Sequence, residues 1–269
     1  MKRPTGFSLI ELAIVLVVVA LLLGGLLVPL TTQIEQQKIR ETQKAMEEVK
    51  EALIGYAATH VDISNHPYLP CPDRRTGAAA VTDNNDGHED RNPAGDCQAL
   101  EGNVPWADLG VSKSDAWGNY FTYRVAAQYS NSSAGITLGS SPITTNIFVC
   151  ENVVGAACTG TVATATQVPA VIISHGNNGF YAINSNFYRM DLPANYPTAP
   201  DATRSSPFEL ENGNVHGDCT AIPGDNTCTK YVSRTPSGIG STAGEFDDLV
   251  TWLSPNILFS RMVAAGRLP

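Results

Sequence analysis

Charge is scarce in this chain of 269 residues, and positive charge is scarcer: 16% of residues are charged, with 17 Lys and Arg against 26 Asp and Glu, a formal charge of −9. A protein that neutralises nucleic-acid phosphates needs a basic face, and none is supplied here, so no nucleic-acid partner is expected. No C-x-x-C occurs and the five histidines fall at no ligand spacing, which argues against structural zinc. G-x-S-x-G elbows and phosphate-binding glycine loops are missing too. Ser174 and His175 are sequence neighbours, but a nucleophile and its base must face each other in space. The chain is therefore expected not to be an enzyme. Its 23 Gly and 17 Pro also argue against an all-helical protein.

Charge is most nearly absent at the N-terminus. Between Arg3 and Glu35 only Glu11 is charged, and Leu12 to Leu30 is a run of 19 residues that are apolar, Gly or Pro. As a helix that run rises about 28 Å, matching a hydrocarbon core of about 30 Å, so residues 12–30 are expected to span a membrane. The run exceeds the roughly 7–15 apolar residues of a secretory signal peptide, and no A-x-A-like cleavage site follows it. Lys2 and Arg3 would hold the N-terminus in the cytoplasm, with everything after residue 35 exported. Gly24, Gly25 and Pro29 either are tolerated within this helix or mark a place where it bends or melts.

A carboxylate in hydrocarbon costs about 2.5–3.5 kcal/mol or more and calls for a partner. No partner for Glu11 is read within its own helix. Cleavage after Gly6 would create an α-amino cation on Phe7, within reach of the Glu11 of a neighbouring copy.

The segment Gly6-Phe7-Ser8-Leu9-Ile10-Glu11-Leu12, preceded by Lys2 and Arg3 and followed by the apolar run, resembles the class III prepilin signal of type IV pilins and type II secretion pseudopilins. The resemblance implies an inner-membrane precursor with a cytoplasmic N-terminus and a periplasmic domain. Residues 1–6 would be a leader cleaved by a prepilin peptidase, with Phe7 N-methylated and Glu11 guiding assembly. Implied partners are other copies or other pilins in a helical filament, the prepilin peptidase and methyltransferase, and an inner-membrane assembly platform. Loss of Lys2 and Arg3 leaves 15 Lys and Arg against 26 acids.

Beyond the apolar run, Ile39, Thr42, Met46, Val49, Leu53 and Tyr56 recur at spacings of three and four, so the helix is expected to continue to about residue 60 with one buried face. An exported globular domain is expected over residues 61–269, and from Tyr68 onward the composition shifts to short apolar segments. Strands are expected at Tyr120–Ala126, Ile143–Cys150, Ala170–Ser174 and Gly179–Ile183. The expected fold class is α+β, a long N-terminal helix packed on an antiparallel sheet, with an irregular loop-rich insertion at about 184–242.

All six cysteines, Cys71, Cys97, Cys150, Cys158, Cys219 and Cys228, lie on the exported side, where disulfides form. Six allow 15 pairings; the sequential one, 71 with 97, 150 with 158 and 219 with 228, is the most economical. The segment Thr82–Asp90 is dense in oxygen ligands, but aligning Asp86-Gly87 with an EF-hand loop puts Pro93 where a bidentate Glu belongs. A solvated loop and an irregular calcium site remain the two readings of it.

Two later segments extend the resemblance. Asp115-Ala116-Trp117-Gly118-Asn119 is similar to the D-P-W-G-N-P-Y segment of the major type II secretion pseudopilin. Ser174-His175-Gly176-Asn177-Asn178-Gly179 and Phe246-Asp247-Asp248-Leu249-Val250-x-Trp252 resemble the two segments that share Ca²⁺ in that family, with Asn178 in place of an Asp. A calcium site at Gly176, Asn178, Gly179, Asp247 and Asp248 is what this implies. The other reading of Asp247 and Asp248 is that they cap a helix suggested by Leu249 to Met262.

The function expected is thus a structural subunit of a secretion pseudopilus or related type IV pilus. A pilus-associated surface adhesin is the alternative, ahead of a membrane-anchored periplasmic hydrolase. N-terminal sequencing of protein from membranes that contain prepilin peptidase should begin at Phe7; an intact Met1 there overturns the pilin class.

Overall fold

The computed structural model describes residues 8–74, 85–138, 147–154, 157–166, 168–183, 207–213, 230–238, 241–242 and 244–268, without the side chains of residues 22–30, 152–154, 157–164, 166, 207 and 210. Gly6, Phe7, Cys219, Cys228 and the Cys158 side chain therefore lie outside the described residues. Contacts divide the chain into two units, Met1–Glu41 and Thr42–Pro269.

One helix, α1 (Leu9–Thr59), contributes to both. In the first unit, Leu9, Ile10, Leu12, Leu16 and Leu21 are all exposed, a row of large apolar side chains that water alone does not favour. The backbone stays helical through Gly24, Gly25 and Pro29. Among the described residues no helix is long and apolar enough to cross a membrane.

In the second unit the same helix has the buried face that its spacing predicts. Thr42, Met46, Val49, Leu53, Ile54, Tyr56 and Ala57 are buried, and the apolar ones among Met46–Ala57 join a core with Phe121, Tyr123, Val125, Val171 and Ile173. The last turn of α1 holds no basic residue, and the C-terminal tail supplies one. Arg267 donates from Nε to the Ala58 carbonyl (2.7 Å) and from Nη1 to Asn65 Oδ1 (3.0 Å), using a helix-end carbonyl that has no partner within the helix.

The core lies against a four-stranded sheet made of β1 (Glu101–Asn103), β2 (Thr122–Val125), β5 (Ala170–Ser174) and β7 (Leu249–Leu253), in the order β1-β2-β5-β7 and antiparallel throughout. Two short helices, α2 (Trp106–Leu109) and α3 (Ala127–Ser130), flank β2 in sequence. Strand β5 is buried at every residue, which explains why Ala-Val-Ile-Ile-Ser reads as a continuous run: a central strand covered on both faces loses the alternation.

A second sheet departs from the single sheet expected. It contains β3 (Phe148–Val154), β4 (Ala157–Thr166) and β6 (Lys230–Val232) in the order β4-β3-β6, with β3 and β6 parallel. The stretch read as irregular thus contributes β6 and a short helix, α4 (Pro207–Gly213). A last helix, α5 (Pro255–Ala264), buries Leu258 and Met262.

Three expected elements change. Gly179–Ile183 is a turn, because Gly179 (φ 63°) and Tyr181 (φ 68°) adopt left-handed backbone that a strand excludes. The strand expected at Ile143–Cys150 is found at Phe148–Val154 instead; residues 139–146 lie outside the described residues. Leu249–Met262 is no single helix: Val250, Thr251 and Trp252 favour the strand paired with β5, and Pro255 starts the helix where its missing N–H costs nothing.

Cys71 and Cys97 form a disulfide as the sequential pairing expects. Cys150 is also disulfide-bonded. The β3–β4 register sets Cys150 opposite Ala163 and Cys158 opposite Val153. The ladder shifts register between Val149 and Cys150 and again between Cys150 and Asn152.

The Cys71–Cys97 bridge closes a loop of sequence separation 26. Replacing both cysteines by Ser is expected to lower the unfolding free energy by about 3.5 kcal/mol, within a general range of roughly 2–5. Urea unfolding of the oxidised wild type against the double variant measures this, and coincident curves refute it.

Candidate functional site

The N-terminus of α1 closes with a reciprocal capping box. Glu11 donates its backbone N–H to Ser8 Oγ (3.3 Å), and Ser8 donates its backbone N–H to Glu11 Oε2 (2.8 Å). Two donors that a helix start leaves without partners are satisfied together. This corrects the expectation that Glu11 finds no partner in its own helix. The S-x-x-E spacing from Ser8 to Glu11 was the signal for it, and the acid also sits at the positive end of the helix dipole.

The second cluster is at the end of the four-stranded sheet. Glu209 of α4, with Asp247 and Asp248 just before β7, brings one oxygen per residue to within 4.8 Å of the others. Glu209 and Asp248 are buried and Asp247 is half-buried. Glu209 Oε2, Asp247 Oδ1 and Asp248 Oδ1 have no hydrogen-bond partner. At that separation each ionised pair repels by about 3–4 kcal/mol for an effective dielectric near 20. Burial, reinforced by the Asp248 and Asp247 charges, pushes Glu209 up to about 9. Burial, reinforced by Asp248 and Glu245, pushes Asp247 up to about 7.

The neighbours hold these acids in place without neutralising them. Asn178 donates its backbone N–H to Asp247 Oδ2 (2.9 Å) and its side-chain amide to Glu209 Oε1 (3.0 Å). Asn212 Nδ2 donates to Asp248 Oδ2 (2.9 Å). Behind them lies His175, fully buried, which meets Thr122 Oγ1 through Nε2 (2.8 Å). Its Nδ1 has no hydrogen-bond partner and lies 3.5 Å from Asp248 Oδ1.

The D-A-W-G-N segment supports this arrangement from beneath. Buried Asp115 accepts backbone N–H bonds from Trp117 and Asn119 at Oδ1 (both 2.9 Å) and the Ser174 hydroxyl at Oδ2 (2.7 Å). Asn119 then donates to the Gly176 carbonyl (2.9 Å), and Ala116 donates its N–H to Thr42 Oγ1 on α1 (3.1 Å). Gly176 has φ 60°, and a Cβ there would stand 2.5 Å from the Asp247 carbonyl oxygen, so only glycine admits the close approach.

Of the five residues expected at a calcium site, Asp247 and Asp248 come together. Gly176 commits its carbonyl to Asn119, and Gly179 donates its N–H to the His175 carbonyl (3.1 Å). Asn178 acts as a donor to the acids, its Oδ1 taking the Phe180 N–H (3.0 Å). The helix-cap reading of Asp247 and Asp248 fails because β7 follows them directly. Glu209 was missed: apart from Pro207 at the helix start, the segment around it carries no periodic signal. Three buried, unpartnered carboxylate oxygens fit a hard divalent cation of the calcium or magnesium class.

Residues 1–27 match the family model described as the prokaryotic N-terminal methylation motif. The N-terminus is a class III prepilin signal, the kind carried by type IV pilins and pseudopilins. Such a signal implies processing by prepilin peptidase and assembly with other pilin subunits. No curated protein and no solved structure matches the chain.

The acidic loop between Cys71 and Cys97 behaves differently from the cluster. Residues 75–84 lie outside the described residues; of the described part, Asn85 and Gly87 come onto Asp73, which is fully buried. Both Asp73 oxygens are taken, by the backbone N–H of Asn85 (2.9 Å) and of Gly87 (3.0 Å). Burial nevertheless pushes Asp73 up to about 7 from an ordinary 3.8, with Asp86 and Asp90 adding to the rise.

A raised acid makes the folded state bind a proton that the unfolded chain has released. The resulting stabilisation is full below about pH 4 and is lost as pH rises through about 7. Wild type should therefore lose unfolding free energy relative to Asp73→Asn between pH 4 and 8, and a difference independent of pH removes the assignment.

Proposed function

We propose that this chain is a structural pilin-like subunit of a type II secretion pseudopilus or a related type IV pilus, and that it works by assembly rather than catalysis. In this reading it enters the inner membrane as a precursor, N-terminus inside. It is cleaved after Gly6, N-methylated on Phe7, and drawn through an assembly platform into a helical filament. The observation that carries the proposal is the prepilin signal at the head of a helix whose far end, from Thr42, is built into a folded domain.

The chemistry of Glu11 supports the assembly step. Its Oε2 is held by the Ser8 N–H, leaving Oε1 for the methylated α-amine of a neighbouring copy. Methylation keeps that amine cationic, so pairing removes two charges from apolar surroundings at once. Leu9 to Leu21 then exchange lipid for the helices of neighbouring subunits.

The D-A-W-G-N segment and the acids before β7 favour the secretion side. The buried carboxylates Glu209, Asp247 and Asp248 would hold a divalent cation, taken as calcium on the same resemblance, which would supply the positive charge that they lack. The second sheet favours a specialised subunit over a bulk one, and it is the surface that a pilus-borne adhesin, the second reading, would use.

Glu11→Ala is expected to leave insertion and cleavage intact while abolishing incorporation into filaments, read from sheared filament fractions against membrane fractions. An unchanged filament yield sinks the role given to Glu11. Deletion of the gene should stop export of secreted enzymes, whereas loss of surface attachment with normal export decides for the adhesin.

A further inference from the structure

From Leu12 to Leu21, α1 presents aliphatic side chains and no charge. Such a surface packs against a like helix almost as well after sliding one turn as before, so it holds no register by itself; polar positions supply that. Further along, Glu35, Lys38, Arg40 and Glu41 put four charges into seven residues of a chain that is otherwise short of them. Arg40 and Glu41 are exposed, and Glu35 and Lys38 are half-buried. Among the described residues, the ion pairs of α1 are Lys44 with Glu48 (3.5 Å), Lys50 with Glu47 (2.8 Å) and Glu51 with Arg261 (3.4 Å). The four charges from 35 to 41 enter none of them. A charge exposed to water needs no partner. Between packed helices it must meet its opposite, because only pairing offsets the loss of hydration.

We propose that residues 35–41 are a register-setting surface for a second copy of this chain, whose α1 lies parallel and displaced by four residues, about 6 Å along the axis. The inference rests on the assembly reading above, which pairs Glu11 of one copy with the Phe7 amine of the next and so sets that displacement at the other end of the helix. The charges agree with it. Displaced by four, Lys38 of one copy comes level with residue 34 of the other and Arg40 with residue 36, each one residue from Glu35, while Glu41 comes level with residue 37, one residue from Lys38. One residue is about 1.5 Å of helix, within reach of these side chains. Every contact in this charge ladder joins opposite signs. With no displacement, Lys38 faces Lys38 and Glu41 faces Glu41. Displaced by seven, Glu41 comes level with residue 34, beside Glu35, and both cations lose their acids. Two marks about 36 Å apart on one helix, Glu11 and Glu35, thus select the same stagger and penalise the wrong ones.

Two measurements on filaments of the full chain test this. The first needs no substitution: cells are shifted from light to heavy-isotope medium during expression, so that filaments contain copies of both, and a carbodiimide joins amines to carboxylates in contact. Peptides that link Lys38 to Glu35 or Glu41 should include mixed-isotope pairs, which only a contact between copies produces. The second exchanges charges. Lys38→Glu, and separately the double variant Glu35→Lys with Glu41→Lys, each set like charges along the whole ladder and should lower the filament yield at least tenfold, with cleavage after Gly6 unchanged. Co-expressed, the two variants should recover to within about threefold of wild type, since each faces the other's opposite charges. Ion pairs confined to one helix, or a misfolded variant, would give no such rescue.

Absence of filaments from wild type overturns the assembly reading and the ladder with it. Filaments in which every Lys38 link lies within one copy overturn the ladder and leave the assembly reading standing. A mixture that yields no more filament than its two variants alone does the same.

Discussion

Everything in the unit from Thr42 onward depends on one buried stripe of α1. Met46, Val49, Leu53, Ile54 and Ala57 meet Phe121, Tyr123, Val125, Val171 and Ile173 in one apolar cluster. Fully burying a large aliphatic or aromatic side chain contributes roughly 1.5–3 kcal/mol, so this face alone is a large part of what holds the core together. The helix cannot rotate about its axis without withdrawing it. Its C-terminal end is fixed by Arg267, and Thr42 receives the D-A-W-G-N turn. The same covalent helix thus has one stretch committed to a folded core and another with its apolar side chains exposed. Under the proposed function, the exposed stretch is both anchor and assembly surface.

The polar interior follows a different logic. Asp73 and Asp115 are buried acids whose oxygens are occupied by backbone N–H groups and a hydroxyl, and they work as hubs for turns. Glu209, Asp247 and Asp248 are held only in part, each with one oxygen unmet. Low dielectric strengthens satisfied networks and penalises incomplete ones, so the two kinds of acid have opposite consequences. The hubs rigidify loops, whereas the incomplete cluster leaves three buried oxygens unmet where α4 meets the start of β7.

Local signals were legible in the sequence and long-range ones were not. The stripe from Thr42 to Tyr56 could be read because helical period is a local property, and Ala170–Ser174 because a central strand is apolar throughout. Gly6, Phe7 and Glu11 could be read as a prepilin signal because the signal is contiguous. Asp247 and Asp248 were found, but Glu209 was not, since only tertiary folding brings α4 to them. The Leu249–Met262 error arose because a short apolar run fits both periods, and pairing with β5 decides between them. The parallel pairing of β3 with β6 depends on a crossover that no local pattern encodes. At Ser8 the capping box is spelled out as S-x-x-E, but Glu11 carries two signals at once, a charge at the edge of an apolar run and a helix-start acid, and the first masks the second.

The clasp of Arg267 on the end of α1 ties the far end of the described chain to its first helix. β7, α5, Met262 and Leu268 complete the same core from the C-terminal side. Helix and tail, 209 positions apart at the Ala58–Arg267 contact, thus close one core between them, so neither the buried face of α1 nor the far side of β5 is fully covered until the segments that follow residue 248 have docked.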